Sequence, residues 1–158
     1  MGDALLSPQW VLVRLEAASA EEVIRQLAAP LVAAGRVRPS FVDAVLERER
    51  TNPTGLPLSG ALHVAIPHTE VEHVCAPALA VATLARPVAF RSMVRPEETV
   101  SVSIVILLAL TEPHAQIEML MSLAELFQDP DRVRAVYEAC SAEELIQRLN
   151  AVLERRRP

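Results

Sequence analysis

The chain has 158 residues, 51% of them apolar and 22% charged, which suits one domain with a buried core and is too apolar for a disordered chain. A net charge of −5 with only five aromatic residues excludes the basic footprint and stacking platforms of a nucleic-acid binder. All 15 basic residues are Arg, so Schiff-base and P-loop lysine chemistry are excluded as well.

No apolar run approaches the roughly 18 residues of a membrane span, and Met1 to Pro8 lack the pattern of a secretory leader. A soluble, cytoplasmic single domain over residues 1–158 with no direct membrane insertion is therefore expected. Cys75 and Cys140 have no C-x-x-C spacing and read as reduced core residues rather than a disulfide, a zinc ribbon or a redox pair. The Arg155 to Arg157 run reads as a solvated helix end, favourable at the negative end of the helix dipole.

In chain order, Trp10 to Leu15 suits a strand, and Ser19-Ala-Glu-Glu22 is a capping box that opens a helix near Ala20. Val23, Ile24, Leu27, Leu31 and Val32 form its apolar face, Pro30 kinks it or starts a new turn, and Gly35 closes it. A second helix fits Ser40 to Arg50 and ends in Glu47, Arg48, Glu49 and Arg50, followed by a loop over residues 51–57. Ala61 to Ile66, Ala78 to Leu84 and the β-branched run Val100 to Leu110 read as strands of a mixed sheet, the last a central one. After Pro113, Ile117, Leu120, Met121, Ala124 and Phe127 share a helical face that Asp129-Pro130 ends. Ser141-Ala-Glu-Glu144 opens a terminal helix with Leu145, Ile146, Leu149 and Val152 inward. The pattern is an α/β domain, one mixed sheet flanked by helices.

Three of the four histidines, His63, His68 and His73, recur at five-residue intervals in a segment that also holds Glu70, Glu72 and Cys75. Imidazole, carboxylate and thiolate are a zinc ligand set, but five residues along a strand separate ligands by roughly 16 Å, and no H-E-x-x-H pattern is present. A different reading singles out His68, which follows the apolar Val64-Ala-Ile-Pro67. A histidine presented at a strand end beside a loop is placed either as a nucleophile, since neutral imidazole attacks phosphorus and leaves again, or as a residue that merely caps the strand.

Leu46-Glu-Arg-Glu49, the Thr54-Gly55 turn and Ala65-Ile-Pro-His68, in that order and spacing, resemble the IIA domains of the phosphoenolpyruvate-dependent sugar phosphotransferase system, of the fructose, mannitol and nitrogen-regulatory superfamily. The resemblance runs from about residue 7 to residue 153. Leu62-His-Val-Ala-Ile-Pro-His-Thr-Glu70 and Gln116-Ile-Glu-Met-Leu120 look most like the galactitol-type branch.

What this resemblance implies is a mannitol-type EIIA fold and a phosphoryl carrier. Its histidine, by position His68, accepts phosphate from the small phosphocarrier HPr and hands it to a cysteine on a IIB component. The Arg-Glu word assigns Arg48 to supply positive charge; a helix-end Arg paired with a glutamate is the plainer reading. The mannitol and fructose branches carry a second histidine near the start of the helix after the long strand. Here the equivalent position is Gln116, with His114 two residues earlier, and either is a candidate. Thr69 replaces a small residue, its hydroxyl contacting a phosphoryl oxygen or capping the turn. The resemblance suggests Nε2 as the phosphorylated nitrogen and implies no metal or organic cofactor. Leu56, Leu58 and Met93 are expected in an apolar rim for transient partners. A IIA-like regulatory protein, whose phosphorylation state controls a protein partner, needs the same His68 site.

Overall fold

The computed structural model describes residues 5–153; the Arg155 to Arg157 run and residues 1–4 of the N-terminal stretch lie outside the described residues. Five strands form one sheet: β1 (Val11–Leu15), β2 (Gly55–Leu56), β3 (Val64–Ala65), β4 (Ala78–Arg91) and β5 (Thr99–Ala109), in the order β1-β4-β5-β3-β2. The sheet is mixed, with β1 parallel to β4, β4 antiparallel to β5, β5 parallel to β3, and β3 antiparallel to β2. The β-branched run expected to be central is the middle strand.

Alternation along the central strands sends side chains into two cores. Ala78, Ala80, Ala82 and Leu84 of β4, with Val105 and Leu107 of β5, face α1 (Ala20–Ala33) and α2 (Phe41–Thr51), whose Ile24, Leu27, Leu31, Phe41 and Val45 cover them. Leu79, Val81, Ile104, Ile106 and Leu108 face the opposite way, against α3 (Pro113–Phe127), α4 (Pro130–Tyr137) and α5 (Ala142–Leu153). The small alanine side chains let α1 lie close to the sheet. Residues such as Leu27 and Phe41 are fully buried, so truncating one to Ala costs roughly 2–5 kcal/mol.

Both capping boxes form: Ser19 Oγ accepts from Glu22 N–H at 3.2 Å and Ser141 Oγ from Glu144 N–H at 3.1 Å. α1 runs through Pro30 unbroken to Ala33 and closes in a Schellman turn, where Gly35 takes φ +71° and Arg36 N–H bonds the Leu31 carbonyl.

Several expectations need correction. Cys75 and Cys140 are exposed: Cys75 sits in a loop and Cys140 just before α5, where backbone bonds rather than packing hold them. The strand expected over Ala78 to Leu84 continues to Arg91 as half of a long hairpin with β5. The strand expected over Ala61 to Ile66 shrinks to Val64–Ala65, and part of the expected loop, Gly55–Leu56, pairs with it. On α3 the inward residues are Leu123, Leu126 and Phe127, while Ile117, Met121 and Ala124 are exposed. Only the C-terminal half of α3 packs on the second core, so its end sets the rotation. Asp129-Pro130 ends α3 and also starts α4, Asp129 accepting from the Asp131 and Arg132 N–H groups with Pro130 in the first turn.

Candidate functional site

β3 and β5 are parallel, so their carboxyl ends lie side by side, the place where open α/β sheets gather their chemistry. Past β3 the chain runs through Ile66 and Pro67 to His68, held to the neighbouring strand by the Leu108 N–H on the Pro67 carbonyl at 3.1 Å. Past β5 it turns at Thr111-Glu112 into α3, whose first turn carries His114 and Gln116. α2 brings Arg48 toward the same end, within 3.8 Å of Glu70.

His68 is 8% exposed, and its Nδ1 lies 2.8 Å from the Ile66 carbonyl oxygen. A carbonyl only accepts, so Nδ1 carries the proton and Nε2 of the neutral ring keeps its lone pair. Burial pushes the imidazole's pKa below its ordinary value. The Ile66 carbonyl opposes that push, while Arg48 adds to it and Glu70 counters it. The result at neutral pH is a ring with an unprotonated Nε2.

Arg48 is about one-third exposed at its side chain. Its NH1 faces Glu70 Oε1 at 3.8 Å, too long for a hydrogen bond, and its buried Nε has no hydrogen-bond partner among the described residues. Thr69 is buried, and its hydroxyl donates to Glu70 Oε2 at 2.8 Å, a bond that draws the Glu70 carboxyl below its usual range.

The two candidates on α3 separate clearly. His114 points outward, 82% exposed, with Nε2 3.0 Å from Glu118 Oε1 one turn on. Gln116 points inward, and its Oε1 is buried without a hydrogen-bond partner among the described residues. A half-turn of the amide presents the NH₂ donor in the same place, and no bond to the oxygen opposes it.

The evenly spaced histidines do not converge. His63 Nδ1 accepts from the Leu58 N–H at 2.9 Å, and His73 Nδ1 lies 2.9 Å from Ser40 Oγ. Among the described residues, no three His, Cys, Asp or Glu side chains group as a metal site. Of the expected apolar rim, Leu56 and Leu58 are half-buried against the second core and Met93 is 41% exposed. Ile117 and Met121, expected on the inward face, are more open than Met93.

Residues 4–152 match the model of the phosphoenolpyruvate-dependent sugar phosphotransferase system EIIA 2 family. The chain belongs to this family. It is 30% identical over 115 residues to the galactitol-specific EIIA component of Escherichia coli K12, covering 73% of this chain and 75% of that one. It is 38% identical over 68 residues to the mannitol-specific IIA component of Halalkalibacterium halodurans, a match spanning 43% of this chain and 44% of the relative. Against the E. coli 2-O-alpha-mannosyl-D-glycerate-specific EIIABC component it is 32% identical over 138 residues, only 20% of that longer protein. Its fold is similar to that of E. coli enzyme IIAMTL, solved in complex with phosphorylated enzyme IIBMTL, at a TM-score of 0.74 and 26% identity over 92% of this chain and 97% of that one. The fold is the mannitol-type EIIA domain, a mixed five-stranded sheet flanked by helices.

Proposed function

We propose that this EIIA domain is a phosphoryl carrier in which His68 Nε2 takes the phosphoryl group from the phosphohistidine of HPr and passes it to a cysteine of a IIB component. The observation that carries the reading is the buried Nδ1–H to Ile66 carbonyl bond, which leaves Nε2 unprotonated next to a cation. In the first step the Nε2 lone pair attacks phosphorus, the donor's N–P bond breaks, and its electron pair returns to the donor imidazole. In the second, the partner's thiolate attacks, the His68 N–P bond breaks, and Nε2 recovers its lone pair. The Ile66 carbonyl stabilises the positive charge the ring acquires while phosphorylated.

Phosphoryl transfer asks mainly for positioning and for donors to the equatorial oxygens. Arg48 supplies charge and a free Nε–H, and Gln116 supplies a donor that does not titrate. Thr69 joins them only by turning its hydroxyl from Glu70. His114, paired with Glu118 and facing solvent, takes no part. The exposed Ile117 and Met121, next to Gln116 and one turn further along α3, form the apolar rim that a transient partner covers, together with Met93.

The names of the relatives point to a IIB partner of polyol type, galactitol or mannitol. Such a carrier works in the cytoplasm, and no helix among the described residues is long and apolar enough to cross a membrane. The test is intact mass after incubation with phosphoenolpyruvate, enzyme I and HPr. One acid-labile phosphate, absent from His68→Gln, is expected; folded protein that takes none from charged HPr overturns the reading.

A further inference from the structure

We propose that Glu49 is a positioning residue that sets which nitrogen of His68 carries the proton, by keeping a backbone N–H away from the carbonyl that the imidazole needs. In β2 and β3, Gly55 faces Ala65 and Leu56 faces Val64. Continuing that register one step sets Thr54 opposite Ile66. A closely spaced antiparallel pair exchanges two bonds, each N–H to the other's carbonyl. Here one of the two forms, the Ile66 N–H on the Thr54 carbonyl at 3.4 Å. The reciprocal donor is diverted: Thr54 N–H goes to Glu49 Oε2 at 2.8 Å, and Thr54 Oγ1–H goes to Glu49 Oε1 at 2.9 Å. The Ile66 carbonyl thereby accepts His68 Nδ1–H at 2.8 Å instead of closing the ladder.

Glu49 sits on the last turns of α2 next to Arg48, so one helix end brings a cation to the site and a carboxylate to the strand behind it. The close fit of Gly55 supports the same arrangement, since a Cβ there would lie 2.6 Å from the Arg91 carbonyl oxygen. That contact keeps the residue after Thr54 from shifting, and Thr54 stays within reach of the carboxylate. Burial raises the Glu49 pKa above its usual value, and the bonds from Thr54 work against that cost. A carboxylate held under burial with both oxygens on a single residue is a strong constraint on the 52–54 turn. Without it, Thr54 N–H turns to the Ile66 carbonyl and competes with the imidazole, whose proton is then free to sit on Nε2, the nitrogen that must attack.

The consequence for transfer rests on the carrier reading of His68, but the tautomer is read on unphosphorylated protein and stands apart from it. The experiment is the imidazole ¹⁵N spectrum of His68 at neutral pH, with the rate of phosphorylation by HPr measured in parallel. Wild-type protein is expected to carry its proton on Nδ1. Glu49→Met fills the buried volume but accepts nothing, and is expected to populate the Nε2–H form and slow phosphorylation about tenfold. Glu49→Gln keeps an acceptor for Thr54 N–H and is expected to restore the wild-type tautomer and a rate within about threefold. If Glu49→Met does not fold, Glu49→Asp, which withdraws the carboxylate by one methylene, decides through the same spectrum. A wild-type proton on Nε2, or a folded Glu49→Met or Glu49→Asp with the wild-type tautomer, overturns the proposal. Wild-type protein with the Nδ1 proton that takes no phosphate sinks the carrier reading and leaves this one standing.

Discussion

The two sides of the sheet end that carries His68 are built in opposite ways. On the β3 side, the polar groups around the reactive Nε2 are partnered: Nδ1 on the Ile66 carbonyl, Thr54 on Glu49, Thr69 on Glu70. On the side of Arg48 and α3, two buried polar atoms, Arg48 Nε and Gln116 Oε1, have none among the described residues. A buried polar atom without a partner costs about 1–3 kcal/mol, a cost that a group bonding to these two side chains would relieve. On the carrier reading proposed above, the satisfied side holds the His68 imidazole in one tautomer and the unsatisfied side receives the anion. A phosphoryl group, with three oxygens and no donors, matches the Arg48 donor as it stands and Gln116 once its amide turns to present the NH₂.

Substitutions on the two sides should therefore fail differently. The largest effect is expected from His68→Gln, which removes the attacking nitrogen: no acid-labile phosphate forms, while the amide spectrum stays native. Next comes Arg48→Ala. Removing one charged donor from developing phosphoryl charge should slow transfer from HPr on the order of 10²-fold, with the His68 tautomer unchanged. A wild-type rate in Arg48→Ala would assign that side chain to its plainer role beside Glu70. Gln116→Ala should slow transfer about tenfold, the low end for a hydrogen bond to a charged group, again without moving the tautomer. If Gln116→Ala altered the His68 spectrum instead, the division between the two sides would be wrong.

Much of this architecture is legible in the sequence because it rests on local rules. The Ser19 and Ser141 capping boxes, the Gly35 stop and the long Val100 to Leu110 strand each follow from a spacing or a residue's own preference. What is not legible depends on neighbours distant in the chain. β2 and β3 are two residues each, too short to carry a period, and exist because they pair with one another and with β5. The inward face of α3 is set by the packing of Leu123, Leu126 and Phe127, so the equally plausible stripe through Ile117 and Met121 ends up outside. α4 is not among the expected elements: Asp129-Pro130 reads only as a stop, whereas the same pair that ends one helix caps the next. At the site, His68 stands out because it ends an apolar strand, and Glu49 is visible as half of a word. Its hold on Thr54 is not, because that bond depends on how the 52–54 turn folds back.

The burial of His68 also fixes the sign of a pH effect. An unfolded imidazole takes up its proton near its ordinary pKa of 6.5, and the folded one does so only at lower pH. Between those points unfolding binds a proton, so acid favours the unfolded chain and this contribution to stability falls as the pH drops through that window. Denaturant midpoints compared between pH 7 and 5.5 should fall more in wild-type protein than in His68→Gln. Equal slopes would mean the ring is not buried as described. The transfer rate, which needs the neutral ring, should change by less than about twofold between pH 8 and 6.5.

The smallest effect belongs to His114, and it tests the comparison most sharply because the sequence offers it and Gln116 on equal terms. Both are on the first turn of α3, and of the two only His114 carries an imidazole. The helix rotation decides between them: two residues apart, they project about 200° from each other around the axis, so an inward Gln116 requires an outward His114. The exposed imidazole lies 3.0 Å from Glu118, an i,i+4 pair whose worth on a surface helix is about 0.3–0.5 kcal/mol. His114→Ala should thus lower stability by no more than that and leave the transfer rate within about twofold of wild type. A tenfold loss on His114→Ala, with Gln116→Ala at the wild-type rate, would mean that α3 turns on partner binding and that the donor facing phosphorus is an imidazole after all.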